Sequence, residues 1–226
     1  LPPNVSRFWK HILQGEELSC MLVGDGAVGK TTMIISYIFN GYTREYRQTA
    51  FDVFTGMRNV IFFFINHLLI NISHFIGQEE FGQLRCLCYA HVDVFILCFS
   101  LVNPVSFHSV SSRWISQIRC SNPTSPIILV GTQSDLRHNV DVLVELHQQS
   151  SRPVGFRQAR RLADRIRAQD YMECSALTQH NLKAVFDSAV SAAIRHKHDE
   201  GTQARKFNPL KRLKSIGGLR KMFRFV

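Results

Sequence analysis

The sequence predicts an α/β fold, a mostly parallel sheet flanked by helices with a phosphate-binding P-loop after its first strand. Three observations predict it. Apolar strand-like runs alternate with helix-like segments along the chain. Gly24-Asp25-Gly26-Ala27-Val28-Gly29-Lys30-Thr31 fits G-x-x-x-x-G-K-[ST] between a strand-like and a helix-like segment. The later polar motifs each follow an apolar run, where sheets of this kind bind ligands.

Leu18–Gly24 reads as a buried strand, and Thr31–Asn40 as a helix. The glycines between them let the backbone curl so that successive N–H groups face phosphate oxygens. The helix N-terminus adds partial positive charge. Lys30 is expected to reach the β/γ-phosphates and the Thr31 hydroxyl to ligate Mg²⁺. The bland alternative is a glycine turn with a stray lysine. Val92–Leu101 is an apolar strand. Val105–Cys120 has helical spacing and Pro104 at its start. Ile127–Gly131 is a short strand. Arg137 to Pro153 reads as a polar surface insertion with a short helix around Val140–His147. Phe156–Ala168 is a basic amphipathic helix, and Tyr171–Cys174 a short strand. Asn181–His196 sets Leu182, Val185, Phe186, Ala189, Val190, Ala193 and Ile194 on one helical face.

At 226 residues the chain suits one domain with tails: an N-terminal extension over 1–17, a domain over 18–198, and a basic tail over 199–226. Leu1 to Gln14 mixes charged and apolar residues and reads as no signal peptide, and the absence of an initiator Met suggests a trimmed or incomplete start. The net charge of +10 is uneven: Arg195 to Val226 holds ten Lys/Arg and two Asp/Glu, so the rest is near neutral. A neutral domain with a basic tail points to an acidic membrane surface or partner rather than to nucleic acid. Six cysteines include no metal-type CxxC pair, and buried thiols in a reducing compartment are the expectation.

Two loops point to guanine. Gly131-Thr132-Gln133-Ser134-Asp135 follows the Ile127 strand, and Cys174-Ser175-Ala176-Leu177 follows the Tyr171 strand. The Asp135 carboxylate can accept from guanine N1–H and the 2-amino group together, a donor pair adenine lacks. The Ala176 N–H could donate to the guanine carbonyl. Each motif alone is weak, since a loop Asp is more often a turn residue.

Downstream of a P-loop, the two motifs make the chain resemble the Ras superfamily, and within it the Rho family. The insertion after Asp135 is the Rho hallmark, so the resemblance implies a Ras-like small-GTPase fold with a Rho-type helical insertion. The runs Leu87-Cys88-Tyr89, Val94 to Ser100, Pro126 to Arg137 and Glu173 to Leu182 are similar to the Wrch/Chp branch. Thr132 and Gln133 replace the usual Asn-Lys, and the Gln is typical of that branch. The resemblance implies a GTP-phosphate site of Gly24, Gly26, Ala27, Val28, Gly29, Lys30, Thr31, Thr32, Thr49 and Gly77. It implies a guanine site of Tyr42, Thr132, Gln133, Asp135, Ser175, Ala176 and Leu177. Thr31 and Thr49 would bind Mg²⁺, and Phe51 and Asp52 match effector-binding positions. Gln48 stands where the family has Pro. Gln78 matches the glutamine that orients the attacking water, and Gly26 leaves room for it and for an arginine finger. The implied partners are GTP/GDP, exchange factors, GTPase-activating proteins, and effector kinases with Rac/Cdc42-interactive segments. The implied process is control of the actin cytoskeleton and cell shape.

One segment departs. The family has Asp-Thr-Ala ahead of Gly77, where this chain has His74-Phe75-Ile76, and no Asp or Glu occurs from Val53 to Gln78. The family Asp orients the Mg²⁺ shell, and a histidine supplies no negative charge for that. Val60 to Ile76 is rich in Phe, Ile, Asn and Leu. It reads as a divergent strand pair, or as sequence outside the native coding region, since AT-rich codons encode this composition. It is too short and too polar for a membrane span. The tail departs too: Arg224 stands where the branch has a lipid-bearing cysteine, and no cysteine follows Cys174. Tail prenylation and palmitoylation are therefore not expected. Basic charge with interleaved Leu and Phe leaves peripheral contact with plasma membrane or endomembranes from a cytoplasmic protein. The expected function is an atypical guanine-nucleotide switch with slow GTP hydrolysis. The alternatives are a nucleotide-binding module with little or no hydrolysis and, least favoured, a small-molecule P-loop kinase.

Overall fold

The computed structural model describes residues 17–40, 59–65, 68–74 and 88–206, with backbone path and pairing alone for 59–65 and 68–74. Six strands form one sheet: β1 (Glu17–Val23), β2 (Asn59–Ile65), β3 (Leu68–His74), β4 (Val94–Ser100), β5 (Ile127–Thr132) and β6 (Asp170–Glu173). Their spatial order is β2-β3-β1-β4-β5-β6. β2 and β3 are antiparallel, and every other pairing is parallel. The chain leaves β1 toward one edge and later fills the other, so the crevice beyond the β1 carboxyl end is the place for a ligand.

Alternation along the strands builds two cores. Leu18, Cys20 and Leu22 of β1, Ile96 and Cys98 of β4, and Ile128 and Val130 of β5 belong to one cluster, with Met33 and Ile34 of α1 (Lys30–Ile38). The long helix α6 (Leu182–Lys206) packs on the same cluster through Leu182, Val185, Phe186 and Ala189. Met21, Val23, Phe95, Leu97, Phe99 and Leu129 belong to the other, beneath a rod of α2 (Pro104–Ser109), a π-helical turn (Val110–Trp114) and α3 (Ile115–Ser121). Helix α5 (Phe156–Arg165) covers the same face through Ala159, Leu162 and Ala163.

The rod differs from the single helix expected over Val105–Cys120. Asn103 caps it, accepting from the Ser106 N–H at 3.1 Å, and Pro104 opens it. The widened turn that follows ends on Trp114, whose indole is 1% exposed. The expected insertion is present as a 3₁₀ turn (Ser134–His138) and α4 (Val140–Gln148), which buries Leu146 and exposes Val140 and Val144.

One expectation changes. Residues 199–206, placed in the basic tail beyond the Asn181–His196 helix, continue α6 for two turns past the core. Pairs one turn apart support that extension, with Thr202 Oγ1 donating to the His198 carbonyl at 2.8 Å. The segment from Val60 to Ile76 contributes most of β2 and all of β3, an antiparallel pair. No helix among the described residues is long and apolar enough to cross a membrane.

Candidate nucleotide site

The P-loop is shaped by what its backbone must do. Gly24 has φ +145°, and a Cβ there would sit 2.1 Å from the Cys98 carbonyl oxygen of β4. Only glycine lets β1 end that close to its neighbour. Ala27 has φ +60°, and Gly29, with φ +91°, caps α1 in the left-handed region. A Cβ on Gly26 would meet nothing within 4 Å. The Val28 side chain is buried in the core, so this residue can serve the site only through its main chain.

Lys30 opens α1 and is 6% exposed. Its ammonium donates to the carbonyls of Gly24 at 2.8 Å and Asp25 at 2.5 Å. Burial pushes its pKa below the ordinary lysine value, opposed by Cys98 and Asp25. An anion beside it would restore the charged form. Asp25 points the other way: its carboxylate accepts from the Trp114 indole N–H at 2.7 Å. Thr31 and Thr32 are half-buried on the first turn of α1.

The loop after β5 is bonded onto the P-loop. Thr132, 2% exposed, has its hydroxyl 2.6 Å from the Val28 carbonyl and 3.0 Å from the Phe99 carbonyl. Gln133, at φ +58°, accepts from Ser100 Oγ at 2.5 Å and donates to the Ala27 carbonyl at 3.4 Å. Asp135 lies half-buried in the following 3₁₀ turn, and among the described residues no hydrogen bond or ion pair engages its carboxylate.

The loop after β6 joins the same cluster. Ser134 N–H donates to the Cys174 carbonyl at 3.1 Å. Ser175 is fully buried and accepts from the Thr178 N–H. Ser36 of α1 donates to the Ala176 carbonyl at 2.7 Å, and Gln179 donates back to the Ser36 carbonyl at 3.1 Å. Leu177 is 53% exposed at the rim. The structure thus gathers Gly24 to Thr32, Thr132 to Asp135 and Ser175 to Leu177 at one end of the sheet. Tyr42, Thr49, Phe51, Asp52, Gly77 and Gln78 lie outside the described residues. Trp114, Ser100, Ser36 and Gln179 are contributors that sequence reasoning missed; no motif spacing marks them, and Trp114 stands 89 residues from Asp25.

The fold and the gathered loops define a P-loop α/β protein whose loops after β5 and β6 meet the phosphate loop. The sequence profile of the Ras family matches residues 19–195, and the chain belongs to that family, within its Rho group of GTP-binding small GTPases. It is 50% identical over 181 residues to Rho-related GTP-binding protein RhoV of Mus musculus and of Homo sapiens, covering 80% of this chain and 75% of theirs. The same protein of Bos taurus is 49% identical over the same share.

Members of this family use Mg²⁺. Of the two expected ligand residues, Thr31 and Thr49, Thr31 is the one among the described residues. Thr31 offers a hydroxyl oxygen, but β3 ends on His74, paired with Leu22 one residue short of the β1 terminus. Among the described residues no group of three His, Cys, Asp or Glu could hold a metal.

Proposed function

We propose that this chain is an atypical Rho-type switch that selects guanine nucleotides through Asp135, holds their phosphates through the P-loop and Lys30, and hydrolyses GTP slowly. The supporting observation is the bonding of Thr132 and Gln133 to the Val28 and Ala27 carbonyls, which ties the base loop to the phosphate loop. Among the described residues the buried ammonium has only carbonyl partners, which favours an anionic ligand over none. The Asp135 carboxylate can accept two hydrogen bonds from guanine and only a mismatch from adenine. Phosphoryl transfer to water needs positioning and charge neutralisation. In this reading Gln78 orients the water, Gly26 leaves it room, and Thr49 and Gly77 close on the γ-phosphate. Tyr42 packs on the base. Mg²⁺, when bound, would neutralise phosphate charge, and Thr31 and Thr49 would hold it.

Because His74 stands in for the family carboxylate, the metal shell is short of negative charge. Nucleotide release then depends little on Mg²⁺. The test is GDP dissociation with and without EDTA, beside the identity of the co-purifying nucleotide. A guanine nucleotide as the co-purifying ligand, with fast release and weak EDTA acceleration, is the expected result. Equal retention of adenosine diphosphate overturns the guanine reading, and strong EDTA acceleration overturns the impaired-metal reading.

His74 also favours a second reading, a nucleotide-binding signalling module with no hydrolysis. Single-turnover GTP hydrolysis separates the two. In either case, the GTP state engages effector kinases with Rac/Cdc42-interactive segments through Phe51 and Asp52. The basic residues beyond Arg195 hold this cytoplasmic protein against anionic membrane surfaces. Sedimentation with acidic vesicles at low salt tests the last point, and no pelleting removes it.

A further inference from the structure

A groove of about 370 Å³ runs between the α2 rod and α5. Its volume lies within the range of small-molecule sites. None of its lining residues belongs to the P-loop or to the loops after β5 and β6. Phe107, 9% exposed, and Leu162, 2% exposed, give it an apolar floor. Arg161 and Arg165 of α5, one helical turn apart, line it together with His108 and Ser111 of the rod.

The charge there is unusual. Between Arg152 and Arg167 the chain has six arginines and one acid, Asp164. Arg160 takes that acid, at 3.6 Å, and reaches Asp170 at 3.5 Å. Among the described residues neither Arg161 nor Arg165 has an ion pair. Like charges one turn apart on a helix repel each other, and a bound anion relieves that repulsion. Guanidinium forks match phosphate oxygens in pairs, and two forks in one groove suit a ligand with more than one phosphate. The His108 ring adds a donor, the Ser111 hydroxyl can turn to a ligand from the His108 carbonyl it meets at 3.2 Å, and the apolar floor accommodates a ring or chain.

We propose that this groove is a second anion site, separate from the nucleotide pocket, for a small molecule or headgroup carrying two or more phosphates. The four polar lining residues named above would hold its oxygens.

The test is calorimetric titration of inositol trisphosphate into the full chain at saturating GDP, which keeps the P-loop filled. Saturable binding is expected. Arg161→Gln with Arg165→Gln should weaken it at least about tenfold, the scale of two lost charge-assisted contacts. Ser111→Phe, which fills the groove without removing charge, should weaken it too. Arg152→Gln with Arg157→Gln removes the same charge from outside the groove and should leave affinity nearly unchanged. Retention of GDP, read separately, should be the same in all variants. No saturable binding by the wild-type chain overturns the proposal, and so does an equal loss in the outside pair. Vesicles of phosphatidylcholine with phosphatidylinositol bisphosphate then identify the source. Pelleting that needs Arg161 and Arg165 and is competed by inositol trisphosphate supports a lipid headgroup. Soluble binding without groove-dependent pelleting supports a free polyphosphate.

Discussion

Removing the Thr132 hydroxyl should loosen the nucleotide site from its base end. Thr132→Val keeps the shape and deletes the only polar atom of a side chain that is 2% exposed. The hydroxyl has one proton and two carbonyls in reach, Val28 at 2.6 Å and Phe99 at 3.0 Å. The shorter contact is the bond that fixes the P-loop. Leaving a buried carbonyl without its donor costs about 1–3 kcal/mol, since the replacement offers no water. That corresponds to a roughly 5- to 150-fold shift in the unfolding constant. For a domain of this size it lowers the Tm by about 2–4 °C per kcal/mol. The P-loop amides are set by the same bond, so GDP should also leave faster. Thr132→Ser is the control: it loses a methyl group but keeps the donor. The assays are thermal unfolding at saturating GDP and stopped-flow release of a fluorescent GDP. If Thr132→Val is as stable and as retentive as wild type while Thr132→Ser is impaired, the hydroxyl bond is not what couples the two loops.

Gly24→Ala places a Cβ 2.1 Å from a backbone oxygen at φ +145°, so overpacking and backbone strain should together cost about 2–6 kcal/mol. Urea unfolding checks it, and unchanged stability contradicts the close approach of β1 to β4. Trp114→Phe removes the donor to Asp25, and a double-mutant cycle with Asp25→Ala should give a coupling of about 1.5–3 kcal/mol in GDP affinity. Additive losses would mean the bond plays no part in shaping the loop. GDP affinity should fall as pH rises toward 10.5, because burial lowers the Lys30 pKa in the free protein and phosphate raises it again. The sign follows from linkage: the complex binds more protons than the free protein in that window, so raising pH favours release. A flat pH profile by equilibrium titration would exclude Lys30 as the phosphate partner.

Strands β4 and β5 were legible because each is buried on both faces and reads as a short apolar run. Val94–Ser100 and Ile127–Thr132 are buried at every position. The P-loop was legible because its geometry admits few residues: Gly24 and Gly29 occupy positive-φ positions. The π turn was not, since the spacing from Val105 to Cys120 suits an uninterrupted helix, and only tertiary contact brings Trp114 to Asp25. The length of α6 was missed for another reason. Beyond Ile194 the helix leaves the core, so the apolar periodicity that announces a helix stops while the backbone continues. The partners of Thr132 and Gln133 were also invisible, because the two loops are 104 and 106 residues apart in sequence.

The two ends of the site are built from different material. At the base and phosphate end, protein bonds to protein: Thr132 to Val28, Gln133 to Ala27, Ser36 to Ala176, Trp114 to Asp25. Each of these bonds runs from one protein group to another, with no metal ion as a partner. The metal end depends on what the β3 terminus offers, and the parallel register sets His74 opposite Leu22, at the level where the P-loop begins. Exchanging a carboxylate for an imidazole there leaves every bond of the first set intact. Under the proposed function, retention and turnover are separable in this chain. A variant that returns Asp at position 74 should strengthen the response of GDP release to EDTA while leaving the preference for guanine over adenine where it was.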